Sequence, residues 1–309
     1  MENLLNRKLR LGIAACQFGS KVRYNGKGID LTQSLGRDRG QFIWTPVCPE
    51  IMSGMGVPRP SIKLSGGNGF DFWNGKANIK NKEGENRNEM VRKGAIACLE
   101  TLERANIDAY IFMEGSPSCG VYRTSLKNQR LGNPPGVFGA LLLERNIFLI
   151  SSIDLQSPIR WWDWKRRLVA FVWIKEQNIN SIDILKEIWD KVKYVLYELH
   201  EEEATKIRDQ IRLITNEKKD VSDETFTFLK NSILDLLRKP AKLENIKKCL
   251  WTNYINLKEK ENIEVEEIFE PHILRNMTHI AQELLGVEIE ARKRNILFRS
   301  SPINYKPDR

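Results

Sequence analysis

Nineteen of the twenty glycines in this 309-residue chain lie between Gly12 and Gly139, and only Gly286 follows them. Glycine supplies tight turns and left-handed backbone and weakens helix interiors, so a shift this sharp separates two architectures. The first part reads as a loop-rich α/β domain and the second as an almost uninterrupted helical one. The boundary falls near Gln156-Ser-Pro158, giving expected domains of 1–157 and 158–309.

In the first part, short apolar runs alternate with helical spacing. Leu11–Ala15, Gln41–Thr45, Ala109–Met113 and Ile147–Ile153 read as strands; 85–106 and about 136–145 read as helices. That alternation predicts a mainly parallel, Rossmann-like sheet with right-handed crossovers. Two long irregular stretches, 17–40 and 53–84, interrupt it. Loops of that length in a compact domain are usually functional.

Three of these strands empty into a cysteine: Cys16 before Gly19, Cys48 between Val47 and Pro49, and Cys119 in the turn Glu114-Gly-Ser-Pro-Ser-Cys-Gly120. If the strands are parallel, all three thiols emerge at the carboxyl edge, where open α/β sheets bind ligands. A metal or cluster site follows, with one position open to substrate because no fourth ligand matches. The separations of 32 and 71 residues are not diagnostic by themselves, and three small buried hydrophobes are an equal reading of the spacing. Cys98 and Cys249 fall inside helical patterns and read as core.

All three histidines, His200, His272 and His279, lie in the second part. A Cys–His or Ser–His couple confined to the first is excluded, so proton transfer there falls to a carboxylate, a lysine or a metal-bound water. Glu50, two residues from Cys48, is the best-placed carboxylate; capping a helix that starts near Ile51 is its competing role. Five scattered cysteines make no disulfide framework, no apolar run is long enough to span a bilayer, and the basic N-terminus precedes a run too short for a signal sequence. The chain reads as cytoplasmic.

Four segments in order carry a resemblance to a known family. They are Leu11 to Gly26 (LGIAACQFGSKVRYNG), Pro46 to Pro60 (PVCPEIMSGMGVPRP), Ser116 to Gly120 (SPSCG) and Gly132 to Leu142 (GNPPGVFGALL). Together they resemble the thiouracil desulfidase family, formerly a domain of unknown function, over roughly residues 8–155. The resemblance implies an enzyme that removes sulfur from thiolated uracil, as free base or as 4-thiouridine in tRNA, by hydrolytic rather than redox chemistry. It implies a [4Fe-4S] cluster held by Cys16, Cys48 and Cys119, with Glu50 transferring protons and Ser116 or Ser118, more naturally Ser116, orienting substrate or water. The chain departs from the pattern at Met113, where many relatives carry lysine, and lacks the histidine that often follows the R-Y-[DN]-G turn. A non-catalytic iron–sulfur carrier and an RNA-binding module are the alternatives.

Residues 1–155 carry 21 Lys and Arg against 14 Asp and Glu, whereas the remainder carries 28 against 26. Positive charge thus concentrates on the half with the strand-end cysteines, as an RNA substrate would favour and as an ordinary basic surface would equally show. In the second part, Trp161, Trp162 and Trp164 beside Lys165-Arg-Arg167 offer either base stacking with phosphate neutralisation or plain packing. A long helix from Ser181 to about Thr215 and further helices at 223–238, 242–257 and 264–285, the last closed by Gly286, complete the expected all-α domain. Thiolated uracil, tRNA and a second copy of the chain are the candidate partners; no membrane is.

Overall fold

The computed structural model describes residues 2–125, 132–217, 222–265, 268–294, 296 and 298–308. It divides into two compact units, one spanning Lys8–Gln156 and the other Ser157–Arg309 with Met1–Arg7. Strand β1 (Leu4–Leu5) therefore belongs with the helical unit, where it pairs in parallel with β8 (Asn304–Tyr305).

The first unit runs β2 (Leu9–Ala14), β3 (Phe42–Val47), α1 (Pro49–Met52), β4 (Ile62–Ser65) and α2 (Gly69–Trp73). It continues through β5 (Asn78–Asn81), α3 (Asn88–Arg104), β6 (Ala109–Phe112), α4 (Val137–Glu144) and β7 (Phe148–Ser151). Four strands form one parallel sheet in the order β3-β2-β6-β7, as the αβ alternation requires. Every residue of β6 is buried, the mark of an inner strand covered on both faces. Tyr110 and Phe112 of β6 meet Leu102 of α3 and Phe138 and Leu142 of α4 in the core.

Both irregular stretches hold more structure than their glycine content implies. Short 3-10 turns occupy Leu31–Gln41, opened by Asp30, whose carboxylate accepts from Thr32 N. An antiparallel pair, β4 with β5, encloses α2, which starts in a capping box between Asn68 and Asp71. The chain reads as loop here because a four-residue strand such as Ile62–Ser65 gives too short an alternation to register.

Helix α3 packs on α1 through Gly94. A Cβ at this position would lie 2.0 Å from the Pro49 carbonyl oxygen, so only glycine admits the approach.

The helical unit comprises α5 (Pro158–Glu176), α6 (Ile182–Leu199), α7 (Glu201–Glu217), α8 (Asp223–Arg238), α9 (Leu243–Glu261) and α10 (Met277–Lys293). Two expectations fail here, and one open alternative is decided. The helix from 181 breaks in two at His200, whose φ of −152° and ψ of 90° leave the helical region. The last helix starts at Met277, not 264, because the Asn276 side chain caps it by accepting from His279 N. Gly286 then lies inside α10 rather than closing it.

The open alternative concerns the tryptophans. Residues 158–176 form a helix, and Trp161, Trp162 and Trp164 are all buried on it, with no face free for stacking on bases. Arg166 and Arg167 are buried as well and fork onto the same residue, Asp163: Arg166 Nη2 at 2.7 Å from Oδ1 and Arg167 Nη2 at 2.7 Å from Oδ2. Arg166 Nη1 also reaches Glu198 at 2.6 Å and the Ser300 carbonyl at 2.7 Å; Arg167 Nη1 donates to the carbonyls of Leu237 and Lys239. These charges tie α5 to α6, the end of α8 and the C-terminal segment, so the basic segment is internal structure rather than phosphate-binding surface.

Burial opposes the Asp163 charge, but Arg167 and Arg166 outweigh it and hold the carboxyl below the usual aspartate range. Its stabilising effect is therefore complete above that range and is lost as pH falls through the lowered native value. Asp163→Ala should cost about 3–5 kcal/mol in denaturant unfolding, because it leaves two buried cations unpaired. Gly94→Ala should destabilise by about 1–3 kcal/mol, although alanine in place of an exposed helical glycine would stabilise by about 1 kcal/mol. Urea titrations of the single variants check both.

Candidate active site

Register sets the site. Ala14 pairs with Val47 and Ile13 with Ile111, so β2, β3 and β6 end level with one another. Cys16 follows the end of β2 in a 3-10 turn, Ala15–Gln17, and Cys48 directly follows β3. Cys119 lies further along, in the turn after β6.

That turn is held from several sides. The first backbone amides of α4 have no partner within their own helix. The SPSCG turn supplies them: Val137 N donates to the Pro117 carbonyl at 3.0 Å, and Phe138 N and Gly139 N to the Ser118 carbonyl at 2.9 and 3.1 Å. Ser116 Oγ accepts from Ser118 N at 3.2 Å and from Cys119 N at 3.1 Å. At the loop mouth the buried Glu114 carboxylate accepts from Arg123 N at 2.9 Å. Burial raises the Glu114 pKa.

Cys16, Cys48 and Cys119 line one cavity of about 570 Å³ at the carboxyl edge of the sheet, together with Glu50, Ser116 and Met113. The size suits a small ligand. Ser118 is buried but does not line it; its hydroxyl has no hydrogen-bond partner among the described residues. Arg23, Arg59, Lys63 and Lys82 bring positive charge to the rim, and Thr124 and Ser125 complete one side; residues 126–131 lie outside the described residues. Cys98 is buried on α3 with its sulfur 3.2 Å from Met52 Sδ, and Cys249 belongs to α9 in the other unit, so neither lines the cavity.

Glu50 is buried in the first turn of α1, yet its carboxylate faces the cavity. Cys48 Sγ donates to Glu50 Oε2 at 3.3 Å, and Arg59 Nη2 stands 3.9 Å from the same oxygen. Arg59 is itself fixed by donating to the Val22 carbonyl at 2.9 Å. At Cys16, Met113 Sδ lies 3.3 Å from Cys16 Sγ, and Gln17 Nε2, behind the lining, is 3.5 and 3.4 Å from the two sulfurs. Gln17, Arg59 and Glu114 are site residues that spacing did not single out. Glu114 stood in the quoted turn, and only its burial marks it as the loop clasp.

Burial pushes the Cys16 thiol up, the Cys48 thiol to about 12 and the Cys119 thiol well above the ordinary value; the Glu50 charge adds to all three. Burial therefore favours the neutral thiols, and ionising all three would take a cationic partner. Among the described residues, no three His, Cys, Asp or Glu side chains converge tightly enough to hold a single metal ion.

Comparison with known proteins places this unit. The sequence model of the 2-thiouracil desulfurase family matches residues 11–154. The uncharacterized protein YbbK of Bacillus subtilis (strain 168) is 30% identical over 148 residues, which are 47% of this chain and 97% of that protein. Among solved structures, a [4Fe-4S]-dependent thiouracil desulfidase, TudS, is 25% identical at a TM-score of 0.39, covering 48% of this chain and 93% of its own. The family match ends at residue 154, before the helices of the helical unit begin. On the family match and the near-complete coverage of YbbK, the chain belongs to the 2-thiouracil desulfurase family.

Proposed function

We propose that the first unit is an iron–sulfur desulfidase that converts a thiolated uracil to uracil and sulfide. The observation that carries this reading is the meeting of three strand-end thiols, Cys16, Cys48 and Cys119, with the Glu50 carboxylate on one cavity. The donor set fits a [4Fe-4S] cluster: three soft sulfurs face the cavity, and no histidine or fourth cysteine lines it among the described residues.

When bound, the cluster supplies a thiophilic Lewis acid that polarises the C–S bond of the substrate. The chain's residues do the rest. Glu50 takes a proton from water as the water oxygen bonds to the thiocarbonyl carbon. As that oxygen becomes the new C=O the C–S bond breaks, and both water protons, one returned by Glu50, leave with the sulfur as hydrogen sulfide, with no net electron transfer. The separation of Glu50 from Arg59 leaves the carboxylate oxygen facing Cys48 and the cavity. Ser116 contributes by fixing the Cys119 turn, and its hydroxyl proton remains available to the cavity.

Anaerobically reconstituted protein should release sulfide from thiouracil. Cys16→Ser, Cys48→Ser and Cys119→Ser should each lose iron and the visible cluster absorbance. Glu50→Gln should keep the absorbance and lose about two to four orders of magnitude in turnover, the range for a general base. Near-normal turnover in Glu50→Gln would reduce Glu50 to a local structural residue and remove this mechanism.

For the substrate's context we infer thiolated tRNA rather than the free base alone. The buried tryptophans no longer support that inference, but the α6–α7 surface does. There a groove of about 450 Å³ is lined by Tyr194 and Tyr197 with Lys186, Lys193, Arg208, Arg212 and Asp190, an aromatic and mainly basic mixture that suits an RNA strand. Its phosphates would compete with Asp183, Asp190 and Asp209 for Lys186, Lys193 and Arg208. Efficiency on thiolated tRNA should fall by about an order of magnitude or more between low and moderate salt if several phosphates are contacted. The free-base reaction should change little, and Lys193→Glu with Arg212→Glu should impair the RNA reaction only. Equal salt dependence of both reactions would sink the RNA reading.

A further inference from the structure

The three cavity cysteines differ in what stands behind their sulfurs. Cys48 faces an acceptor, the Glu50 carboxylate. Cys119 is fixed through its backbone amide. Cys16 faces a donor: the side-chain amide nitrogen of Gln17, 3.5 Å away. The same nitrogen is 3.4 Å from Met113 Sδ, and the two sulfurs are 3.3 Å apart, so the three atoms form a closed triangle. Gln17 is 5% exposed, which denies its amide protons to water. An –NH₂ carries two protons and can serve two acceptors. Leaving either unmade in a buried site is costly.

We propose that Gln17 is a positioning residue for Cys16: its amide donates one proton to the Cys16 sulfur and the other to Met113, fixing the direction of the Cys16 sulfur and withdrawing electron density from it. This rests on the iron–sulfur reading above. Met113 matters as a neutral, weak acceptor that occupies the second proton without competing for the first. A carboxylate at 113 would take the amide away, and a lysine would bring a donor of its own to Cys16. Hydrogen bonds to ligating sulfurs are among the factors that set cluster potential. By stabilising negative charge on sulfur, this one favours the reduced state and raises the potential.

The test is a set of variants reconstituted anaerobically, with iron and sulfide content, midpoint potential by redox titration of the visible absorbance, and the rate of iron loss to a chelator. Gln17→Met keeps the length of the side chain and removes the donor. It should assemble the cluster at wild-type iron content, titrate at a lower potential and lose iron faster by about two- to tenfold, the factor carried by one hydrogen bond. Gln17→Glu, an acceptor in place of the donor, should shift the potential further the same way. Met113→Leu leaves the amide on Cys16 and should titrate like wild type. Unshifted potentials in both Gln17→Met and Gln17→Glu overturn the proposal, as does an equal shift in Met113→Leu, which would mark a packing effect. If Gln17→Met does not fold, Gln17→Leu and Gln17→Glu carry the comparison. A wild-type chain that assembles no cluster defeats the underlying reading and this inference with it. Clusters assembled throughout with equal potentials defeat this inference alone.

Discussion

Parallel strands paired so that β2, β3 and β6 end level fix where chemistry is available in this molecule. Backbone hydrogen bonding locks Ala14 beside Val47 and Ile13 beside Ile111, and a slip of one residue would turn every side chain of a strand to the other face. Two cysteines separated by 32 residues thereby leave the sheet at one level, one and two residues beyond their strands. The third is brought back by a different device. The unpaired amides at the start of α4 need acceptors, and the Pro117 and Ser118 carbonyls supply them, so Cys119 is delivered by the same bonds that complete a helix end.

Charge around the cavity opposes ionised sulfur unless a cationic partner joins it. The thiols are buried, which disfavours their ionised form, and Glu50 adds a like charge nearby. Arg59 lies 3.9 Å from the Glu50 carboxylate, and Arg23 shares the rim. The Cys16 wall is softer, with a thioether and an amide donor in contact. The cavity is therefore asymmetric: a carboxylate side at Cys48, and a donor and thioether side at Cys16.

Much of the first unit is legible in sequence because its signals are local. A short apolar run between a polar residue and a glycine turn, as at Ala109–Phe112 between Asp108 and the turn at Glu114-Gly115, has few alternatives, and a parallel sheet makes the meeting of strand ends nearly automatic. What escaped notice depends on partners far along the chain. Gln17 reads as one more polar residue in a loop until Met113 lies against it, 96 residues away. Ser116 and Ser118 are two residues apart in one motif, yet only the first lines the cavity, because the turn directs their hydroxyls differently. In the helical unit, apolar periodicity runs unbroken through His200 although the backbone does not, and a glycine that suggests a helix end at 286 sits where α10 simply tolerates it. Periodicity reports which face is buried; it is nearly blind to a single residue leaving helical geometry.

The Trp161–Arg167 segment shows why composition misleads about charge. Two arginines beside three tryptophans look like a nucleic-acid surface only if both kinds of side chain reach solvent, and here neither does. The deciding residue is Asp163, three and four positions before the arginines, the spacing that places it on their face of the helix. Once both guanidiniums fork onto that carboxylate, their remaining donors are directed to Glu198 and to backbone carbonyls at the end of α8 and in the C-terminal segment, and Trp162 and Trp164 lie under them. A basic run that contains its own buried counter-ion is thus weak grounds for phosphate binding. The cations beside Tyr194 and Tyr197 on α6 and α7 lie at the surface, so neither kind of side chain has to leave a core to meet a ligand. But Lys186, Lys193 and Arg208 pair with Asp183, Asp190 and Asp209, and only Arg212 among those cations is exposed.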